Sequence, residues 1–349
     1  MKKTVKKSLI TATVLMVIGI LILTLTACAA DFDATKLITM SYEPKTYEID
    51  EAFTNIIINA NEADITLYQS EDGFARVIAD ESNRVKYSVT VNDGTLSIEI
   101  FDQRKWYDYI SILSTAQTIG VYLPASEYAS LTMNSSTGDV TVPNDFNFGS
   151  VDIKVSTAEV SFTASVDQNL KIKASTGDIL ANGIAAGTID FSATTGNIIA
   201  SDIICDADFI SAISSGDHRI TGVRCGGKMD VTSSTGKTYL TDITCKNFIS
   251  EANTGDISLD RVIAEENICI ERSTGDVSFN GCDAAELTIK TSTGSVVGTL
   301  LSDKIFITHT NTGDIDVPRG TSGGICDITT TTGDIESSIK DNGQMDFIL

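Results

Sequence analysis

Ser136–Asp139, which reads Ser-Thr-Gly-Asp, is the first of a series of similar segments that extends almost to the C-terminus. The segment recurs unchanged at Ser175–Asp178 and Ser273–Asp276, and Ala158 replaces the glycine of another copy. Successive members lie 19 or 20 residues apart. A constant period in this range is typical of a solenoid, in which one short unit stacks on the next. Variants of the segment surround the remaining glycines, which are Gly196, Gly216, Gly236, Gly255, Gly294, Gly313 and Gly333.

Apolar residues hold fixed positions relative to each glycine. They recur two and four residues after it, as at Val140 and Val142, and seven and five residues before it, as at Val151 and Ile153. A third apolar column lies seven residues after the glycine, and Ile184 is its first member. Alternation with period two and many β-branched residues indicate short strands, not helices. The sequence therefore predicts an all-β fold, a right-handed parallel β-helix of about eleven coils and on the order of 50 Å in length.

The glycine of each unit is expected at a corner where the backbone needs a positive φ. The neighbouring Ser, Thr and Asp side chains can hydrogen-bond to backbone groups and hold the turn. The alternative is a stacked acidic ladder that binds Ca²⁺. Asn197, Lys237 and Ser295 interrupt this column and relieve the repulsion between stacked carboxylates without a metal. This favours the interpretation in which the side chains hold the turn. The candidate polar or calcium-binding ladder consists of Asp139, Asp178, Asp217, Asp256, Asp276, Asp314 and Asp334.

Residues 1–28 are predicted to be a targeting segment. Four lysines lie within the first seven residues, and Ser8–Ala27 contains no charge. Leu25–Cys28 resembles a bacterial lipobox, in which Cys28 would be lipidated and become the new N-terminus. The uncharged run is also long enough to span a bilayer, so a membrane anchor is the alternative. Either interpretation places the rest of the chain outside the cytoplasmic membrane, attached to it.

The composition is strongly acidic, with 47 acidic and 25 basic residues and a formal net charge of −22. No basic stripe is present, so we do not expect nucleic acid as a partner. Such acidity suits solubility and attraction to cations, including cationic peptides.

The region of residues 29–130 lacks the repeat but is rich in predicted strands, and it is expected to cap the first coil. Asn92–Gly94 is a hairpin signal between two of those strands. Trp106 lies in a stretch without periodicity, which would either form a binding surface or pack over the edge of the cap. Residues 131–340 are assigned to the solenoid, and residues 341–349 to a C-terminal tail or cap.

Ile119–Pro124 and Tyr128–Leu131 directly precede the repeated Ser-Thr-Gly-Asp-Ile units. Together these segments resemble the bacterial putative-adhesin family of β-solenoid domains, a domain of unknown function. The resemblance extends from about Thr46 to Ile339. It implies a membrane-attached envelope protein, and some relatives accompany cell-envelope stress systems. It implies no catalytic or ligand-binding residues that could be transferred to this chain.

Cys205, Cys225 and Cys245 recur every 20 residues, in a column that they share with Ala186 and Ala264. Such a column requires a small buried side chain, and a free cysteine provides one. A disulfide between stacked neighbours is the alternative in an oxidising compartment. No Cys-X-X-Cys pair and no cysteine–histidine cluster with zinc spacing is present, so neither a metal nor a cofactor is expected.

The chain has two histidines, His218 and His309, and neither lies in a nucleophile motif. We therefore expect a non-enzymatic cell-envelope protein, an adhesin or binding scaffold with a repetitive polar and acidic face at the Thr-Gly-Asp corners. Cell-wall polymer, glycans or cationic peptides are the candidate partners. The first alternative is an envelope-stress sensor or regulatory component that captures cationic antimicrobial peptides. The second is a polysaccharide-active β-helix enzyme.

Overall fold

A computed structural model describes residues 3–29, 41–105, 117–301, 305–316 and 325–336 of the chain. Within these ranges there is a single helix, α1 (Lys3–Ala29), and 27 strands that form one continuous sheet. Strands account for 71% of the structure, which winds as a β-solenoid of about 10 turns. The predicted all-β solenoid is thus confirmed, whereas its right-handedness stays a prediction.

Each turn places one strand before the glycine and a second strand after it. The strands before the glycine are β8 (Glu127–Ser135), β10 (Asn147–Thr157), β12 (Ser165–Thr176), β14 (Ala185–Thr195), β16 (Phe209–Ser215), β18 (Lys228–Thr235), β22 (Glu286–Thr293), β24 (Ile305–Thr312) and β26 (Cys326–Thr332). The strands after it are β9 (Val140–Val142), β11 (Val160–Phe162), β13 (Ile179–Asn182), β15 (Ile198–Cys205), β17 (His218–Cys225), β21 (Val277–Cys282), β23 (Val296–Leu300), β25 (Ile315–Asp316) and β27 (Ile335–Glu336). Two long strands contribute to both faces, namely β19 (Thr238–Thr254) and β20 (Ile257–Thr274).

Neighbouring turns pair in parallel, one repeat apart. Ile179 is opposite Ile198, which is opposite His218 on the following turn. In the third apolar column, Val223 is opposite Ile243. Because side chains alternate along a strand, this register stacks every inward residue on its equivalent in the next turn. The predicted columns are therefore vertical files in the structure.

The region predicted as a cap contains β1 (Glu43–Ile49), β2 (Asn55–Asn59), β3 (Asp64–Gln69), β4 (Ala75–Glu81), β5 (Val85–Asn92), β6 (Thr95–Asp102) and β7 (Thr118–Leu123). Strands β2 and β3 pair in parallel with β8 and β9, and β6 and β7 pair in parallel with β2 and β3. These segments form two further solenoid layers. Strands β1, β4 and β5 pair antiparallel and cover the edge of the lowest layer.

The hairpin between β5 and β6 forms at the predicted place. Asp93 and Gly94 have φ values of 48° and 71°, and Asn92 is opposite Thr95. Two consecutive positive φ angles are the geometry of a two-residue type I′ turn, which matches the twist of the flanking strands.

The core is one apolar column that follows the solenoid axis. Side chains of one turn pack on those of the next, so each turn buries little surface by itself and depends on its neighbours. Burying one phenylalanine side chain contributes about 1.5–3 kcal/mol. The largest fully buried side chains include Phe148, Phe162, Phe191, Phe209 and Phe248.

Candidate functional site

The glycines of the repeat form a file in which each lies directly against its predecessor. Gly177, Gly196 and Gly216 have φ values of 132°, 133° and 141°. A Cβ on Gly216 would lie 1.8 Å from the carbonyl oxygen of Gly196, and a Cβ on Gly196 would lie 2.1 Å from that of Gly177. Glycine is required here both for its backbone conformation and for the close approach of the neighbouring turn.

The aspartates of the candidate ladder accept hydrogen bonds from backbone N–H groups of the next turn. Asp256 Oδ1 accepts a hydrogen bond of 3.1 Å from the backbone N–H of Asp276. Asp314 accepts the equivalent bond of 2.9 Å from the backbone N–H of Asp334. Asn197 and Ser295, which interrupt the acidic file, also accept from the next turn through their side-chain oxygens. The file therefore ties each corner to the following one.

Further members of the file behave in the same way. Asp139 Oδ1 accepts from the N–H of Glu159 at 2.8 Å, and Asp178 Oδ1 from that of Asn197 at 2.7 Å. Asp217 Oδ1 accepts from the N–H of Lys237 at 2.9 Å. Within the described parts of the chain, no three His, Cys, Asp or Glu side chains are grouped so that they could hold a metal ion. Calcium binding by this file stays a prediction.

A groove runs along the solenoid immediately before the glycine corners and has a volume of about 960 Å³. It crosses eight turns, from the turn of Ser175 to that of Asn311, so its ends lie about 34 Å apart at one strand spacing per turn. One wall is the residue two positions before each glycine. Its members are Ser175, Thr194, Ser214, Ser234, Asn253, Ser273, Ser292 and Asn311.

We call this wall the outer wall. All eight of its side chains are exposed and polar. Among the described residues, none of them forms an intramolecular hydrogen bond. In this respect the outer wall differs from the aspartate file, whose oxygens are already engaged. Its hydroxyl and amide groups can therefore donate to and accept from a ligand.

The opposite wall consists of the residues four positions before each glycine, and these include both acidic and basic side chains. Lys290 Nζ lies 3.1 Å from Glu271 Oε1, and this exposed ion pair is screened by solvent. Buried small residues such as Ala174 and Ala193 form most of the floor, which keeps the groove open to the backbone. The sequence pattern predicted a polar face at the adjacent Thr-Gly-Asp corner but did not predict this groove. The signal that could have revealed it is the column of Ser, Thr and Asn two residues before the glycine.

The groove offers hydrogen bonding but no recognisable catalytic arrangement among its described residues. His309 lies on the wall opposite the outer wall, and it forms no hydrogen bond with a serine or cysteine of the described chain. His218 lies in the core, fully buried. Nucleophilic catalysis needs a nucleophile and a base within hydrogen-bond reach, and no such pair is formed in the described ranges.

A model of the Toastrack DUF4097 family matches residues 53–241 and 226–348, which together are most of the sequence. This chain belongs to the Toastrack family. No curated protein matches it.

Several solved structures are similar to this Toastrack chain. A putative adhesin from Bacteroides fragilis shares 14% identity, covering 74% of this chain and 96% of the other, with a TM-score of 0.36. A putative adhesin from Parabacteroides distasonis shares 13% identity over 76% and 97% of the two chains, with a TM-score of 0.36. A putative lipid binding protein from the same species shares 18% identity over 76% and 96%, with a TM-score of 0.30.

The cysteine file of the Toastrack chain is placed as the repeat predicts. Cys205 is opposite Cys225 on the next turn, and both are buried with Cys245. All seven cysteines are free, and Cys225 Sγ donates to the carbonyl oxygen of Ala207 at 2.8 Å. Burial raises the pKa of the Cys245 thiol to about 12. These cysteines act as small core residues here.

A second corner, six residues after the glycine, escaped the sequence interpretation. Asp202, Asp242 and Arg261 occupy it with φ values of 54°, 55° and 56°. Arg261 forms two bonds to the Asp242 carboxylate of the preceding turn, with Nε–Oδ1 and Nη2–Oδ2 distances of 2.5 and 2.8 Å. The signal that could have revealed this corner is the recurrence of glycine at the same position in Gly183, Gly222 and Gly281.

Cys28 lies in the last turn of α1 and is exposed, and its lipidation stays a prediction. Where the Toastrack structure is described, no helix has the length and hydropathy needed to cross a membrane. Trp106, considered above as part of a binding surface, lies outside the described residues.

Proposed function

We propose that this chain is a non-enzymatic binding protein of the cell envelope, and that it holds an extended glycan or wall polymer along the outer-wall groove. Lipid on Cys28 would attach it to the outer side of the membrane, and the resemblance of Leu25–Cys28 to a lipobox and the exposure of Cys28 support that attachment. The observation that carries the proposal is the outer wall itself, a row of eight exposed polar side chains without intramolecular partners among the described residues.

The spacing of this row suits a linear polymer more than a compact ligand. Equivalent groups recur every turn, about 4.8 Å apart, so a straight chain can repeat the same contact many times. Each exposed hydrogen bond contributes little by itself, but contacts made by one continuous ligand add together. We therefore expect affinity to rise with oligomer length until the ligand fills the groove.

The test measures binding of uncharged linear oligosaccharides of increasing length and of purified wall fragments by calorimetry. Ser234→Trp fills the middle of the groove and is expected to weaken binding about tenfold or more. Thr221→Trp is the matched control, because Thr221 is exposed but does not line the groove. Binding that is equally weakened by both variants, or that does not depend on oligomer length, contradicts the proposal.

The second candidate is capture of cationic peptides by an envelope-stress sensor. The net charge of −22 favours it, because such a surface attracts cations over a distance set by the ionic strength. This candidate predicts binding to cationic peptides that is lost in high salt and unaffected by Ser234→Trp. Retention of wall fragments at high salt would support the glycan proposal instead.

A further inference from the structure

Cys205 and Cys225 occupy equivalent inward positions on neighbouring turns of the solenoid. They are directly opposite each other in the parallel register of β15 and β17, and both are buried, with 2% and 5% exposure. Neighbouring strands are about 4.8 Å apart, which lies inside the range of about 4.4–6.8 Å between the Cα atoms of disulfide-bonded cysteines. The backbone therefore holds this pair at a separation that a disulfide can bridge.

The two thiols point the same way. Cys205 Sγ lies 3.5 Å from the carbonyl oxygen of Gly187, and Cys225 Sγ lies 2.8 Å from that of Ala207, the equivalent residue one turn later. Hydrogen bonding between the two thiols raises the pKa of Cys205 and lowers that of Cys225. The sulfur atoms thus lie one above the other, and rotation of the side chains can bring them to bonding distance without a shift of the strands.

Cys245 follows in the same column, but the register changes before it. The backbone N–H directly after Cys225 donates to the carbonyl oxygen of Cys205 at 2.8 Å. One turn later, the N–H directly after Cys245 donates at 2.9 Å to Gly227, which lies two residues beyond Cys225. The register of β17 with β19 ends one residue before these two cysteines. The geometry therefore favours a bond between Cys205 and Cys225 over one that involves Cys245.

Loss of the thiol protons would leave the neighbouring carbonyl groups hydrogen-bonded. The carbonyl oxygen of Gly187 also accepts from the backbone N–H of Ala207 at 2.9 Å. That of Ala207 likewise accepts from the N–H of Gly227 at 2.9 Å. A buried acceptor left without a partner would destabilise the fold, and these backbone bonds prevent that cost when the disulfide forms.

We infer that Cys205 and Cys225 form a disulfide between neighbouring turns when the chain folds in the presence of a small disulfide donor such as oxidised glutathione. The thiolate of one cysteine attacks the donor, releases a glutathione thiolate and forms a mixed disulfide. The thiolate of the other cysteine then attacks the protein sulfur of that mixed disulfide and releases the second glutathione thiolate. Two electrons pass from the protein to the donor, and the two released thiolates take up the two protons.

The disulfide would link two turns in the middle of the stack. It joins cysteines that are 20 positions apart in the sequence, so it restricts a loop of that length in the unfolded chain. Because each turn of a solenoid is stabilised by its neighbours, such a link also opposes separation of the stack at this point. Neither cysteine lines the outer-wall groove, so the inference is independent of the proposed glycan binding.

The first experiment refolds the full-length protein from urea in reduced and oxidised glutathione, and then blocks free thiols with iodoacetamide under denaturing conditions. Trypsin cleaves after Arg219 and Arg224, so Cys205 and Cys225 fall in separate peptides. We expect mass spectrometry of the unreduced digest to show these two peptides joined, with Cys245 alkylated. A bond between Cys225 and Cys245, or alkylation of both Cys205 and Cys225 in most molecules, would overturn the inference.

The second experiment compares the thermal unfolding midpoints of the refolded protein with and without a reductant. The midpoint of the wild type is expected to fall by about 4 °C or more when the bond is reduced. Cys225→Ala should remove this difference, and Cys245→Ala is the matched control that should retain it. A difference that persists in Cys225→Ala, or that is lost in Cys245→Ala, would contradict the assignment. The peptide map of the wild type decides the question if a variant does not fold.

Discussion

Lys237 Nζ lies 3.0 Å from Asp256 Oδ2, on the next turn of the file that otherwise carries acidic or neutral side chains. The Lys237 contact, together with the backbone N–H of Asp276, lowers the pKa of Asp256. A carboxyl group whose pKa is depressed by folding stabilises the protein above its unfolded pKa of about 3.9, and this contribution is lost as the pH falls below that value.

We predict that Lys237→Ala and Asp256→Ala are coupled at pH 7 by only about 0.5 kcal/mol, because both side chains are about half exposed. A double-mutant cycle by urea unfolding at pH 7 and at several pH values below 4 measures the coupling, which should be lost as the pH falls through the lowered pKa of Asp256. Lys173→Ala is the control, since Lys173 forms no ion pair with any described residue. Coupling that does not decrease as the pH falls below 4 would show that the pair is not electrostatic.

Gly216→Ala is expected to destabilise the protein by about 3 kcal/mol or more, because the added Cβ would overlap the Gly196 carbonyl at a φ of 141°. Gly183→Ala provides the comparison. Gly183 also has a positive φ, but no atom lies within 4 Å of the position that a Cβ would take there, so the cost should be about 1 kcal/mol. Chemical denaturation of both variants measures the difference, and equal losses would refute the steric explanation.

His218→Thr should reduce the acid sensitivity of the protein. The pKa of His218 is about 4 in the folded state and about 6.5 when unfolded, so the unfolded state binds more protons between these values. The stability from a neutral His218 is complete above pH 6.5 and is lost as the pH falls toward 4, by about 3 kcal/mol.

The measurement is the unfolding free energy of wild type and His218→Thr across pH 4–7 at constant ionic strength. Threonine is chosen because Thr238 occupies the same file on the next turn. His309→Thr is the control, since His309 lies on the groove wall and not in the core. An unchanged pH slope in His218→Thr would mean that another group causes the acid sensitivity.

The buried cysteines should be unreactive in the folded protein. With a pKa of about 12 and only 2% exposure, Cys245 is expected to resist iodoacetamide at pH 8 until the protein unfolds. Cys245→Ala should cost about 1 kcal/mol, because Ala264 already fills this position on the next turn. Mass spectrometry of labelled protein, with and without denaturant, tests this. Fast labelling in the native state would contradict the burial.

The sequence pattern did not predict the two solenoid layers at the N-terminal end. Strands β2 and β3 contain the same alternation as the repeats, yet Ala63, not glycine, occupies the position beneath Gly138. The chain also places β6 and β7 below β2 and β3, against their order in sequence. Because these two layers lack the repeated glycine and stack out of sequence order, the period of 19 or 20 residues does not reveal them.

Local sequence determined the solenoid. A glycine recurs every 19 or 20 residues, and apolar side chains occupy alternate positions between the glycines. Stacking the repeats on one another is the way to bury all of these apolar columns. Tertiary structure alone decided which polar groups are free to act. The Asp256 and Ser234 side chains are equally polar in sequence, but stacking engages the first with the next turn and leaves the second exposed in a groove. Stacking also brings Arg272 into hydrogen-bond contact with Ser250, which lies 22 residues earlier, because distant residues become neighbours only when the turns stack along one axis.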